Sequence, residues 1–250
     1  MSSLCAEGAS SKAITRQALP DANAAAARSF LVDQHAFPAG LVAAFLAHVT
    51  RFPVRYVLCD DSTSMRSDDG RILTALHGVG GNSMRLVEGI TRWAELRDML
   101  LFHAHLASIV GAETEFRLLN GAAPISVGAS AAEDAANISI LTALLEQPPG
   151  GGTPLCLHIN EVVARVAALA PMLRAEGKKA ALVIATDGEP SDGDVADALR
   201  PLQNLPVYVL VRLCSAPQSV VTHWRGLADR LELHLDVIED PVTEAAAVRC

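Results

Sequence analysis

Apolar residues recur at helical spacing over residues 24–32 and 41–49, with the Phe37-Pro38-Ala39-Gly40 break between them, so two short helices are expected. From Pro53 onward the pattern changes. Near-continuous apolar runs of strand length occupy Val54–Cys59, 180–185, Val207–Leu213 and 233–238. Between and after them lie stretches with helical spacing, over 91–110, 133–146, Leu155–Ala175, Val195–Leu199 and 220–231. This alternation predicts an α/β fold whose sheet is covered by helices on both faces. Residues 115–119 and 124–127, joined across Asn120-Gly121, read as a hairpin. Pro171 is expected to kink or restart the helix that contains it. The Ser/Asp/Gly-rich segment 62–83 reads as a long loop, and a brief helical piece over 242–249 ends the chain.

Composition narrows the function. The chain has 250 residues, half of them apolar but only 4% aromatic, so Ala, Val and Leu must fill the core. A net charge of −8 and a pI near 5.4 argue against nucleic acid and against an anionic membrane surface. No transmembrane span is read. The apolar stretch 39–47 is far short of the ~20 residues a span needs. Residues 1–20 lack the apolar centre of a signal peptide. The five cysteines are odd in number and show no CxxC spacing, so neither a zinc site nor a disulfide framework is indicated, and a cytoplasmic compartment is the default. The organisation expected is a disordered N-terminus over 1–22, a helical extension over 23–52 and one domain over 53–250.

The chemistry lies beyond the strand ends. Asp60-Asp61-Ser62-Thr63-Ser64 directly follows the run Val54–Cys59. Two hydroxyls and a carboxylate on one tight loop can hold a hard divalent cation such as Mg²⁺ through oxygen alone. Thr153, in Gly151-Gly152-Thr153-Pro154, opens a helix, and Asp187 follows the strand at 180–185. In a doubly wound sheet that edge is where ligands bind. Each segment also has a plainer reading. Asp60, Ser62 and Thr153 suit helix caps, and Asp187-Gly188 suits an ordinary turn.

Taken together, Asp60, Ser62, Ser64, Thr153 and Asp187 resemble the metal-ion-dependent adhesion site of the von Willebrand factor A domain, with the resemblance covering about residues 53–250. It implies a doubly wound, mostly parallel, Rossmann-like sheet with one antiparallel strand, which the hairpin over 115–127 would accommodate. In that family's pattern Ser62 and Ser64 ligate the ion directly, while Asp60, Thr153 and Asp187 bind it directly or through water. The implied cofactor is Mg²⁺, with Mn²⁺ or Ca²⁺ as alternatives. The implied function is docking of another protein that presents an Asp or Glu. Two alternatives stand beside this: a metal-assisted hydrolase or phosphotransferase using Asp60 as nucleophile, and a scaffold that works without metal. Against the enzyme, Ser62 stands where a second acid is expected, Lys178 and Lys179 should lie at the far end of their strand, and no His falls in either motif.

Other features are read without chemistry. Asp61, Asp68, Asp69, Glu189, Asp192 and Asp194 are expected to be solvated acids. Gly78-Val79-Gly80-Gly81-Asn82 lacks the marks of a phosphate loop and reads as a mobile loop beside the metal face. His103 and His105 do not have the spacing of a zinc-binding helix. Trp93 is expected to anchor its helix against the sheet. The terminal helix at 242–249 is too short to act as a lever, so little long-range switching is expected.

Overall fold

Strand β1 (Val54–Cys59) is apolar at nearly every position because each of its faces meets a separate core. Tyr56 and Leu58 enter one hydrophobic cluster, Val57 and Cys59 the other. The same reason holds for β6 (Ala180–Thr186), while β7 (Val207–Leu213) sends Val207, Val209, Val211 and Leu213 into the first cluster; both lie on one side of β1 in a six-stranded sheet. β4 (Glu113–Leu118), β5 (Ile125–Val127) and β8 (Leu235–Ile238) complete the order β5-β4-β1-β6-β7-β8. Every pairing is parallel except β4 with β5, where Thr114 faces Val127 and Phe116 faces Ile125. The computed structural model describes residues 19–78, 81–121, 123–214 and 218–239. The helix expected at 242–249 lies outside them.

The fold is therefore a doubly wound, mostly parallel α/β sheet. Helices α5 (Leu155–Ala175), α6 (Val195–Leu199) and α7 (Gln218–Arg230) cover one face, and α3 (Arg92–Val110) and α4 (Ala131–Leu145) cover the other. α5 continues through Pro171 without restarting. By length and composition alone α5 could cross a membrane, which the sequence reading did not bring out. In the fold, Leu155, Ile159, Val162 and Val166 are fully buried in the sheet's core.

One expectation is overturned. The segment 62–83, read as a long loop, carries β2 (Gly70–Gly78) and the start of β3 (Gly81–Ile90), an antiparallel hairpin that forms its own two-stranded sheet. Gly78 pairs with Gly81 and His77 with Asn82, so the described residues of the stretch read as a mobile loop belong to the two strands. Apolar residues on both sides of a Gly-rich centre are a hairpin signal, outweighed in the reading by the Ser, Asp and Gly content before it.

The N-terminal extension, α1 (Asp21–Arg28) and α2 (Ala39–His48) joined by a π-helical turn at Ser29–Gln34, packs on the outer side of α3. Ala27, Phe30, Leu31 and Val42 meet Leu106 and Val110 there, and Phe30 stacks on Phe102 with ring centroids 5.5 Å apart. Truncating a buried Phe typically costs about 3–5 kcal/mol. Phe30→Ala is accordingly expected to lower stability by about 3 kcal/mol and to speed amide exchange in α1 and α2. Unaltered exchange there would show that the extension is held by something else.

Candidate functional site

β1 and β6 are adjacent and parallel, so the residues just past their C-terminal ends emerge side by side. This places Asp60 beside Thr186 and Asp187. The Asp60 backbone N–H donates to Ala185 O at 2.9 Å, continuing the ladder one step beyond the strand. The Asp60 carboxylate is fully buried. Its Oδ1 accepts from the Ser62 backbone N–H at 2.9 Å and its Oδ2 from the Thr186 hydroxyl at 2.6 Å. Both donors are neutral. Burial raises the Asp60 pKa, the Ser62 and Thr186 hydrogen bonds oppose that rise, and the nearby Asp187 adds to it.

From there the hydroxyls run in a chain. Ser62 Oγ lies 2.9 Å from Ser64 Oγ, and the Ser64 hydroxyl donates to Asp187 Oδ1 at 2.8 Å. The loop carrying Asp187 is pinned by Trp224, a fully buried residue whose indole N–H donates to Gly188 O at 3.1 Å. Four of the five sequence-read residues thus meet in one hydrogen-bonded group: Asp60, Ser62, Ser64 and Asp187.

Thr153 joins them through its backbone and its neighbours. The Thr63 backbone N–H and hydroxyl donate to Gly151 O at 3.2 and 3.1 Å, and Gly150 N–H donates to Asp61 O at 2.7 Å. On the other side, Thr153 N–H donates to Ser191 Oγ at 3.0 Å, and Ser191 N–H to Thr153 O at 2.9 Å. The glycine loop is therefore stitched to both the Asp60 and the Asp187 loops. Gly151 has φ of +96°, and a Cβ there would meet Asn120 Oδ1 at 2.5 Å, so only glycine suits this close approach.

Ser62 precedes the 3₁₀ turn Thr63–Arg66, but its side chain makes no cap hydrogen bond. Nor does Thr153 cap α5. Asp192 does, accepting from the Cys156 and Leu157 backbone N–H groups at 3.0 and 2.8 Å. Asp60 alone behaves as its plainer reading supposed, closing a local turn onto the Ser62 N–H.

Several acids read as solvated have specific partners. Asp61 is buried, and its Oδ1 accepts from both the backbone N–H and the side-chain amide of Asn120 at 2.9 Å. Asp194 caps α6 by accepting from Ala196 N–H at 2.8 Å. Asp69 binds Arg92 through both oxygens at 2.7 Å, and that guanidinium holds its carboxyl below the usual range. Glu189 matches the expectation, being exposed, with His223 Nδ1 3.8 Å from its carboxylate. Trp93 is buried in the core cluster that contains the sheet residues Val57 and Phe116, as expected, and it does more. Its indole N–H donates to Leu145 O and Gln147 O at 3.1 and 3.0 Å, so it locks α3 to the end of α4. Lys178 and Lys179 precede β6 and stand at the opposite end of that strand from Asp187.

Sequence reasoning missed Arg92. Its guanidinium donates to Asp187 Oδ2 at 2.8 Å as well as to Asp69, and it is buried. Arg92 thus pairs with the buried Asp187 and the half-exposed Asp69, while the buried Asp60 is held by neutral donors. Buried charge without an opposite partner is costly, so a divalent cation suits this balance. The oxygen-only donor set of carboxylates and hydroxyls suits Mg²⁺, Mn²⁺ or Ca²⁺. Among the described residues, no group of three or more His, Cys, Asp or Glu is set to hold an ion. Any binding here depends on the hydroxyls of Ser62, Ser64 and Thr153.

No known protein family and no curated protein matches the chain. Among the solved structures that resemble it are two bacterial proteins. A conserved hypothetical protein, BatB from Bacteroides thetaiotaomicron, is 14% identical with a TM-score of 0.39, over 64% of this chain and 65% of that one. An aerotolerance-related membrane protein from Bacteroides fragilis NCTC 9343, carrying multiple mutations to serines, is 16% identical with a TM-score of 0.38, over 64% of this chain and 67% of that one. This chain thus spans just under two thirds of the BatB structure. Likeness at this level carries nothing about the site.

The burial of Asp60 gives a pH prediction. A carboxyl whose folded pKa is raised stabilises the fold below its unfolded pKa, and that contribution is lost as pH rises through the folded value. Without added metal, Asp60→Asn should therefore melt at a higher temperature than the native chain at pH 7, with the gap closing as pH falls toward about 4. A variant that melts lower at pH 7 would show that the charge at Asp60 is already balanced.

Proposed function

We propose that the chain is a non-enzymatic protein-interaction module that binds a partner's Asp or Glu through a divalent cation, Mg²⁺ by preference. The observation that carries this reading is the pair of buried strand-end carboxylates, Asp60 and Asp187, linked by two serine hydroxyls that cap no helix. A bound Mg²⁺ would supply positive charge and a coordination position for one outside anionic oxygen. Ser62 and Ser64 would offer their hydroxyl oxygens, with Asp60, Thr153 and Asp187 as direct or water-separated ligands. Asp60 is oriented for this by Ser62 N–H and Thr186, and Thr153 by its backbone bonds to Ser191. The Asp61–Asn120 clamp holds the two sides of the site together, because the Asn120 amide also donates to Gly152 O at 2.9 Å.

The test is calorimetric titration of Mg²⁺ and Mn²⁺ into the native chain and into the double variant Asp60→Ala, Ser62→Ala. Binding by the native chain, abolished in a variant that keeps its far-ultraviolet circular dichroism, is the expected result. A native chain that binds neither ion would defeat the reading. Partner capture that is lost in EDTA then separates a metal-dependent module from a metal-independent scaffold. Phosphate-ester hydrolysis abolished by Asp60→Asn would instead support an enzyme.

A further inference from the structure

Arg92 is the first residue of α3, and its backbone is fixed before its side chain is considered. Thr91 caps the helix by accepting from Ala94 N–H at 3.1 Å, and Arg92 N–H donates to Ser67 O at 2.9 Å. The planar guanidinium then divides its edges. Nε and one terminal nitrogen bind the two oxygens of Asp69 at 2.7 Å, and the other terminal nitrogen binds Asp187 Oδ2 at 2.8 Å. A lysine cannot reproduce this fork. The side chains of Arg92 and Asp187 are 11% and 1% exposed, so solvent screens their pairing little.

We propose that Arg92 is a positioning residue of the candidate metal site: it takes up one oxygen and much of the charge of Asp187, and through Asp69 it ties the site to the base of the β2–β3 hairpin. The inference rests on the metal-dependent reading above. Its electrostatic half follows from the distances. With Oδ2 held by Arg92 and Oδ1 by Ser64, Asp187 offers a cation less charge than Asp60 does. A bound cation then keeps more positive charge for a partner's carboxylate.

The mechanical half follows from packing at the hairpin base. A Cβ on Gly70 would meet Thr91 O at 2.7 Å, so β2 begins in direct contact with the start of α3. One residue on, Arg71 N–H donates to Glu95 Oε2 at 2.9 Å, and Glu95 Oε1 accepts from the buried Arg212 at 2.9 Å. Asp69, Gly70 and Arg71 are thus all registered on one helical turn. Displacing the hairpin base displaces the partner of Arg92, and with it the hold on Asp187.

Mn²⁺ titrated by calorimetry into the native chain, Arg92→Gln and Asp69→Asn tests this. Nearby opposite charge changes a carboxylate's proton affinity by about one to three orders of magnitude. Releasing Asp187 in Arg92→Gln should tighten Mn²⁺ binding by about tenfold. Asp69→Asn leaves the guanidinium less balanced and should weaken binding a few-fold. Opposite signs are the electrostatic signature, because loss of a merely structural contact would weaken both. Weaker or unchanged binding in Arg92→Gln, with native binding intact, overturns the role of Arg92 alone. If Arg92→Gln does not fold, Asp69→Asn decides, since that side chain is 52% exposed; unchanged or tighter binding there overturns the proposal. A native chain that binds no Mn²⁺ overturns both this inference and the reading beneath it.

Discussion

Two carboxylates leave the ends of adjacent parallel strands and are buried within one hydrogen-bonded group. That constraint governs the rest of the site. Asp60 is held by neutral donors and Asp187 by a serine hydroxyl and one guanidinium. Parallel pairing of β1 with β6 makes the juxtaposition unavoidable once both strands end in aspartate, since the register brings Cys59 opposite Ala185. The core on either side leaves these side chains nowhere to turn but the sheet edge. Loops that would otherwise vary freely are fastened around them, by Asn120 to Asp61, by Ser191 to Thr153 and by Trp224 to Gly188.

The short run Thr91-Arg92-Trp93-Ala94-Glu95 shows how one helical turn can organise four neighbours. Thr91 starts the helix, Arg92 reaches the Asp187 loop, Trp93 bonds to the end of α4, and Glu95 joins the hairpin to β7 through Arg212. Two of these side chains are ionic and nearly buried, an arrangement that is destabilising when one partner is lost. The hairpin depends on it, because a two-stranded sheet is marginal by itself. Its base is held by Arg92 and Glu95 rather than by the main sheet.

Much of this was legible in the sequence. The buried strands betrayed themselves by continuous apolar runs, and β4–β5 by Asn120-Gly121 between two short ones. Asp60, Ser62, Ser64 and Asp187 were found because their positions follow strand ends, and strand ends converge in a parallel sheet. Arg92 and the acids beside the site were not found, because a charged residue in a loop or on a helix is usually solvated. Only the three-dimensional arrangement shows that Asp69 lies opposite Arg92, 23 residues along. The β2–β3 hairpin was missed for a different reason. Its apolar residues on both sides of a glycine-rich centre are in the sequence, but the polar Ser, Asp and Gly content ahead of them points to a loop.

The acids with specific partners change how the rim presents itself. A sequence with a net charge of −8 and a cluster of Asp around the site suggests a surface that repels acidic partners. Yet Asp61 is spent on Asn120, Asp69 on Arg92, Asp192 on the start of α5 and Asp194 on the start of α6. Carboxylates that accept from helix N-termini are partly neutralised by the backbone dipoles they cap. Asp68, Asp69, Glu189, Asp192 and Asp194 all remain exposed, so these partners orient and offset the carboxylates without burying them. Through that pairing and capping, and not through burial, repulsion at the mouth is weaker than composition implies. On the metal-dependent reading proposed above, an incoming carboxylate would be admitted or refused mainly by the charge at the centre, where Asp60 lies near Asp187 and Asp187 is paired with Arg92.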